Sequence, residues 1–207
     1  MLSSDSPITV AGEPEIVLQD CVTPLDFDAI FGREAPIQID LGCGDGSFLA
    51  SLASDNSAED FLGIERLLGR VWTACRKIER ARLVNARVLR FEISYAVQYL
   101  VPANSVTTFH LMFPDPWPKR RHAPRRVISE SLLVALHRAL IPDGKVRIAT
   151  DDFDYFKQIT RLVSHSSLFE ADNGTVATAA VSKFERRFTQ RGVAIHRLVL
   201  RKLPPVT

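Results

Sequence analysis

Residues 113–126 read Phe-Pro-Asp-Pro-Trp-Pro-Lys-Arg-Arg-His-Ala-Pro-Arg-Arg, so one carboxylate and one indole share a run with four prolines and five fixed positive charges. Proline at 114, 116 and 118 fixes φ and removes backbone donors, which neither a helix interior nor an inner strand tolerates. The segment must be a stiff, irregular loop. An acid and an indole held beside a run of arginines suit a place where a base is held and a phosphate backbone is gripped. Trp117 could stack on that base, although an indole that only braces the loop fits the same pattern.

A second cluster lies upstream. Asp40-Leu-Gly-Cys-Gly-Asp-Gly46 follows a short apolar run, Ile37–Leu41, and opens a helical pattern, Ser47–Ser54. Glycines there allow a tight turn and a close approach of backbone to ligand. A dinucleotide fingerprint needs a third glycine where Ser47 stands, and no Walker lysine is present, so nucleotide triphosphate hydrolysis is not expected. The observed form, acid-x-Gly-x-Gly-x-Gly, resembles the first motif of the class I methyltransferases, which bind S-adenosylmethionine. Glu65 ends the next short strand, nineteen residues after Gly46. A carboxylate there can accept both ribose hydroxyls of an adenosine; as a surface acid it could instead pair with Arg66. Glu92 follows the third strand, where that pattern often puts an acid near the adenine, and a helix-capping acid before Tyr95 is the alternative.

These residues need a scaffold that delivers them to one edge. Strand patterns at Phe61–Ile64, Ala86–Phe91, Ser105–Phe113 and Lys145–Thr150 alternate with helical patterns at Leu67 to about Leu83, Tyr95–Leu100, Val127–Leu140 and Phe153–Val163. Pro142-Asp143-Gly144 is expected to stop the helix before Lys145. Alternation of this kind predicts a doubly wound, mostly parallel, seven-stranded α/β sheet. Leu168–Ala171 and Val193–Arg201 lack a long helix between them and predict an antiparallel hairpin at one sheet edge. The first ~35 residues show no clear period and read as an extended arm, leaving one domain over 36–207. In open α/β sheets ligands sit at the carboxyl ends of the strands, so the loop after the fourth strand is expected beside whatever the glycine turn holds.

Composition bounds the function. The 207 residues are 46% apolar, enough for a sizeable core. Cys21, Cys43 and Cys75 are far apart and odd in number, with no metal-ligand spacing, so neither disulfides nor a structural metal is expected. Met1–Glu15 has no basic or apolar signal-peptide region, no apolar run approaches a membrane span, and a cytoplasmic protein is expected. Net charge is +2, yet residues 1–60 carry twelve Asp/Glu against Arg33 alone, while residues 61–207 carry twenty-five Lys/Arg against twelve Asp/Glu. Such asymmetry suits a polyanion partner for the basic part. On a helical wheel Arg66, Arg70, Lys77 and Arg80 fall within ~80° of one another, opposite Leu67, Leu68, Val71, Cys75 and Ile78. That basic face is either solvated or a phosphate contact.

The proline loop, together with Gly63-Ile64-Glu65, Ala149-Thr150-Asp151 and Lys183-Phe184-Glu185, resembles the bacterial tRNA (guanine-N7-)-methyltransferase family, in the same order, from residue 36 to about 190. The resemblance implies methyl transfer from S-adenosylmethionine to N7 of the variable-loop guanine at tRNA position 46. It implies that Asp40, Gly42, Gly44, Gly46, Glu65, Glu92 and Asp115 surround the donor, with Asp115 also catalytic. Lys119, Asp151, Ser182, Lys183, Phe184 and Glu185 would contact the target nucleotide. Arg121, His122, Arg125 and Arg126 would contact the tRNA. Asp40 and Glu92 stand where the family has Glu and Asp, and Ser182 where Thr is usual; each keeps its charge or hydroxyl. The acidic N-terminal segment is a poor tRNA-binding arm. Neither a metal nor a membrane is implied, and a monomer and a homodimer fit equally. Two other readings share features: a methylase of exocyclic amines, whose Asp/Asn-Pro-Pro-aromatic loop Asp115-Pro116-Trp117 partly matches, and a tRNA-binding subunit without activity.

Overall fold

Residues 13–116, 126–172 and 194–204 of the computed structural model are described. The chain divides into two compact units, residues 1–102 and 103–207. In the first, β1 (Glu15–Ile16), β2 (Ile37–Leu41), β3 (Asp60–Glu65) and β4 (Ala86–Arg90) are all parallel, in the order β1-β4-β3-β2. The connecting helices are α1 (Phe27–Phe31), α2 (Ser47–Asp55) and α3 (Leu68–Arg80), and after β4 a single turn α4 (Ile93–Tyr95) widens into a π-turn at Ala96–Leu100. Each strand is short and mostly buried, β3 along its whole length, because both faces are covered. Leu49 and Leu52 of α2 and Val71, Ala74 and Ile78 of α3 meet Phe61 in one buried cluster. The apolar stripe expected on α3 is buried at Val71, Cys75 and Ile78, but Leu67 is outside the helix and 46% exposed.

The N-terminal segment is not an extended arm throughout. Ile16 is buried in a strand on β4, Leu25 donates its N–H to the Leu100 carbonyl, and Phe27 and Ile30 are buried. Two- and five-residue elements are too short to show a period. Arg33, the sole cation of the first sixty residues, donates from Nε (3.0 Å) and Nη2 (2.6 Å) to Asp60 Oδ1, and Asp60 is fully buried at the start of β3. A buried carboxylate without that fork would cost several kcal/mol (about 3–5).

The second unit holds β5 (Val106–Met112), α5 (Glu130–Ala139), β6 (Leu140–Thr150), α6 (Phe153–Ser164), β7 (Phe169–Ala171) and β8 (His196–Lys202). β5 and β6 are parallel, β6–β8 and β8–β7 antiparallel, in the order β5-β6-β8-β7. The antiparallel edge strands match the sequence expectation. The described residues hold eight strands, one more than the seven expected, because β1 falls in the stretch that shows no period. β6 begins at Leu140 rather than Lys145: the Pro142-Asp143-Gly144 turn is absorbed as an irregularity where the register jumps from Val106↔Leu140 to Thr108↔Lys145. Asp143 takes a φ of 60° there. No helix among the described residues is long and apolar enough to cross a membrane.

His110 on β5 is fully buried, and burial first, then the charge of Arg147, pushes its pKa down from 6.5 to about 3. The folded protein therefore keeps it neutral while the unfolded chain takes up a proton below pH 6.5. The stabilisation is complete above that pH and is lost as pH falls toward 3. Between pH 7.5 and 5 this single residue should remove about 2 kcal/mol of unfolding free energy. Urea melts across that range should show the loss in the wild type and a slope flatter by one proton in His110→Gln; equal slopes would mean that His110 protonates in the folded state.

Candidate active site

In the first unit the site is built from the carboxyl ends of three adjacent parallel strands. Leu41 of β2 pairs with Ile64 of β3, and Glu65 of β3 with Arg90 of β4, so the glycine turn, Glu65 and Glu92 leave the same edge. The turn reverses at once: Gly42 and Cys43 both donate N–H to the Ile64 carbonyl, at 2.8 and 3.1 Å. Gly42, Gly44 and Gly46 have φ of 79°, 57° and 73°, which side chains disfavour. The three glycines have different neighbours. A Cβ on Gly46 would stand 2.6 Å from Ala74 Cβ and 2.8 Å from Ala74 Cα of α3, whereas one on Gly44 would meet nothing closer than the Gly42 carbonyl at 3.9 Å. Gly46 is thus a packing position, and Gly44 faces open space.

Glu65 is 5% exposed and divides its carboxylate between two loops. Oε2 accepts from Gly44 N at 3.1 Å and Oε1 from Leu67 N at 2.8 Å, the residue that caps α3. A carboxylate has about four lone-pair sites, so two remain for a ligand. Arg70 Nη1 is 3.8 Å from Oε2, a loose ion pair in which Arg70, not Arg66, is the partner. Asp40 is 3% exposed; burial first, and the Glu65 charge second, push its carboxyl up to about 7. A pair of acids so placed favours a ligand that brings positive charge or hydroxyl donors. Glu92 is exposed and accepts from Tyr95 N at 2.8 Å as the N-cap of α4, the capping geometry that its sequence position allowed.

Lys77 leaves the basic stripe for the turn. Its Nζ donates to Ser47 Oγ at 2.6 Å and to Asp45 Oδ2 at 2.5 Å, tying α3 to the start of α2. Burial raises the Asp45 carboxyl, but the hydrogen bonds from Lys77 and Ser47 outweigh it and hold the group below the usual range. The sequence signal for this contact was weak: an acid inside a glycine turn, with no cation nearby in the chain.

In the second unit, Met112 of β5 pairs with Ala149 of β6, so Asp115 and Asp151 emerge from one edge of two adjacent parallel strands. Both are exposed. Phe113 donates its N–H to the Ala149 carbonyl at 2.7 Å and then turns to a φ of 54°. A residue before proline is biased to extended backbone, so sequence alone does not reveal this left-handed step. A bulky side chain there costs about 1–3 kcal/mol, and such strain gathers at functional sites. Asp151 precedes the cap of α6, where Asp152 accepts from Tyr155 N at 2.7 Å. Arg126 donates from Nε to the Pro116 carbonyl at 2.7 Å, hydrogen-bonds Gln158 and lies over the Tyr155 ring at 5.3 Å. Its guanidinium braces the far end of the proline loop. Trp117, Lys119, Arg121, His122, Arg125, Ser182, Lys183, Phe184 and Glu185 lie outside the described residues. Among the described residues no group of His, Cys, Asp and Glu could hold a metal ion.

Residues 34–198 match a family described as putative methyltransferase. The tRNA (guanine-N(7)-)-methyltransferase of Syntrophotalea carbinolica is 32% identical, over 91% of this chain and 84% of that protein. The enzymes of the same name from Halorhodospira halophila and Leifsonia xyli are 35% and 38% identical, each over 87% of this chain and over 80% and 82% of theirs. This chain belongs to the tRNA (guanine-N7-)-methyltransferase family. Among solved structures, the antibiotic-resistance methyltransferase Kmr superposes with a TM-score of 0.61 at 18% identity, covering 92% of this chain and 96% of that one. The 16S rRNA methyltransferase KamB gives 0.59 at 12%, covering 86% and 93%. At such identities the likeness shows the fold alone, the mostly parallel α/β class I methyltransferase fold with an antiparallel edge.

The unequal neighbours of Gly46 and Gly44 are testable without ligand. Gly46→Ala should lose about 2–4 kcal/mol of unfolding free energy, from left-handed strain plus the clash on α3. Gly44→Ala should lose only about 1 kcal/mol. Urea denaturation of the two variants checks the order, and equal losses would contradict the packing role of Gly46.

Proposed function

We propose that this protein transfers the methyl group of S-adenosylmethionine to N7 of a guanine in tRNA, at variable-loop position 46, giving 7-methylguanosine. The observation that carries the donor assignment is Glu65, whose oxygens each hold one backbone N–H and keep further lone pairs free beside the open face of Gly44. Those lone pairs suit the two ribose hydroxyls of the adenosine. The buried Asp40 suits the cationic end of the donor, because a positive neighbour restores the carboxylate that burial disfavours. Glu92, exposed beyond its cap, is assigned to the adenine side, and Gly42 and Gly46 fix the turn. When bound, the donor supplies an electrophilic methyl on a sulfonium.

Guanine N7 carries no proton, so the chain need not supply a general base. It must align the nitrogen and meet the charge that develops on the purine. Asp115 suits the second of these roles, as an exposed carboxylate that the Phe113 turn and the Pro114 and Pro116 constraints hold off the end of β5. Asp151 or Glu185 is the acceptor for guanine N1–H and the 2-amino group, donors that adenine does not present in that pattern. Lys119, Ser182, Lys183 and Phe184 complete the nucleotide contacts on this reading, and Arg121, His122 and Arg125 the backbone contacts. Arg126 acts at one remove, by holding the loop.

The purified protein, given unmodified tRNA and radiolabelled S-adenosylmethionine, should yield label as 7-methylguanosine after nuclease digestion. Label found only as N6-methyladenosine would replace this reading with an exocyclic-amine methylase, and tight tRNA binding without label with a binding subunit. Asp115→Ala should lower turnover at least a hundredfold while the Kd for tRNA stays within about twofold of wild type. Undiminished turnover would remove Asp115 from the reacting centre.

A further inference from the structure

The basic face of α3 does not lie where the helical wheel alone puts it. Arg66 precedes the helix, Lys77 is held by Asp45 and Ser47, and Arg70 leans to Glu65. What remains unengaged is a different row: Trp72, Arg76 and Arg80, at i, i+4 and i+8. All three are exposed, Trp72 by 55%. None of the three side chains has a hydrogen bond, ion pair or ring contact among the described residues. Side chains on a helix lean toward its N-terminus, so the indole lies toward Gly69. A Cβ at Gly69 would have nothing within 4 Å, which leaves one flank of the indole clear. Glu79, the sole acid of α3, stands about 60° and 100° round the helix from Arg76 and Arg80.

A row of this composition carries costs as a solvated surface. An unpacked indole leaves a large apolar face in water. Two arginines four apart repel one another. Both costs vanish against a partner that offers a flat apolar ring and a line of negative charge. Nucleic acid offers both: bases and riboses stack on an aromatic face, and phosphates release counterions to guanidinium groups.

We propose that the Trp72–Arg76–Arg80 row is a tRNA-docking ridge, with a base or ribose stacked on the Trp72 indole and backbone phosphates on Arg76 and Arg80. The ridge is ~12 Å long at 1.5 Å per residue. It lies on α3, whose N-cap residue Leu67 donates its N–H to Glu65, so it starts near the carboxyl edge of β3 and runs back along the helix. The proposal rests on tRNA being the substrate. It extends that reading to a surface outside the proline loop, and it assigns the ridge to grip rather than to chemistry.

The test measures tRNA binding and methylation on the full chain and its variants. Trp72→Ala should raise the Kd for tRNA roughly tenfold with an unchanged dependence on salt, because stacking releases no counterions. Arg76→Gln/Arg80→Gln should raise Kd by a similar factor at low salt and flatten the slope of log K against log salt by about 1.5. KM for tRNA should rise in both variants, with kcat and S-adenosylmethionine affinity as in wild type. Thermal melts should match wild type, since all three side chains are exposed. Wild-type Kd and salt slope in both variants, in a protein whose wild type methylates tRNA, would overturn the ridge and leave the activity standing. A wild type that fails to methylate tRNA instead removes the reading on which the ridge rests. Loss of self-association in Trp72→Ala, with tRNA affinity unchanged, would also overturn the ridge and make the row a contact between copies of this chain.

Discussion

Everything at the carboxyl ends of β2 and β3 depends on how closely α3 lies against the glycine turn. The space left at Gly46 is smaller than a methyl group, with Ala74 on the other side. That contact fixes where α2 starts, because Gly46 is its cap residue. It also brings Lys77 of α3 within reach of Asp45 and Ser47. Glu65 closes the arrangement from the third side, bonded to Gly44 N on one loop and Leu67 N on the other. A second tight approach supports the first: a side chain at Gly63 of β3 would strike Cys43 Sγ and Leu49 Cδ2, both at 2.7 Å. Strand, turn and helix thus hold one another through positions where no side chain fits.

The electrostatics follow from the same closeness. Two carboxyls, Asp40 and Glu65, are buried near one another, and only Glu65 is met by backbone donors. Asp40 bears the consequence, with a carboxyl pushed to about 7. Binding sites often hold such costs in the free protein, to be relieved by the ligand's own charge. The Asp45–Lys77 pair has the opposite character. Its partners satisfy one another, so it positions the turn without drawing a ligand.

The strand–helix alternation from Ile37 to Arg90 was legible because each element is long enough to show a period and is bounded by turn residues. Glycines at 42, 44 and 46 announced the turn, and three prolines announced the loop. What escaped was of two kinds. Short elements, β1 and α1, carry no period of their own and are held by tertiary contacts at Ile16, Leu25 and Phe27. Pairings distant in sequence, such as Lys77 with Asp45 or Arg33 with Asp60, have no local signature. A helical wheel groups Lys77 with the free charges and leaves out Arg76 and Trp72, because it counts angles and cannot see which side chains find partners. Glu92 shows a further limit: a cap and a ligand acid occupy the same position in the chain, and the observed bond to Tyr95 N uses one of its two oxygens.

The uneven charge along the chain now has a physical sense. The first sixty residues carry twelve acids, and their one cation, Arg33, is committed to the buried Asp60. That stretch therefore leaves no lysine or arginine side chain to compete with a cationic ligand for Asp40. Beyond residue 60 the balance inverts. Some of that excess is structural, as with Arg87, buried and bonded to the Val84 and Ala86 carbonyls, and Lys202, bonded to Asn104 and the Leu140 carbonyl. Other cations, Arg76 and Arg80 among them, have no partner among the described residues. On the proposed reading the reaction joins a small cation to a large polyanion. A chain that keeps acids buried near the glycine turn and leaves arginines exposed and unpaired along α3 presents one kind of charge to each.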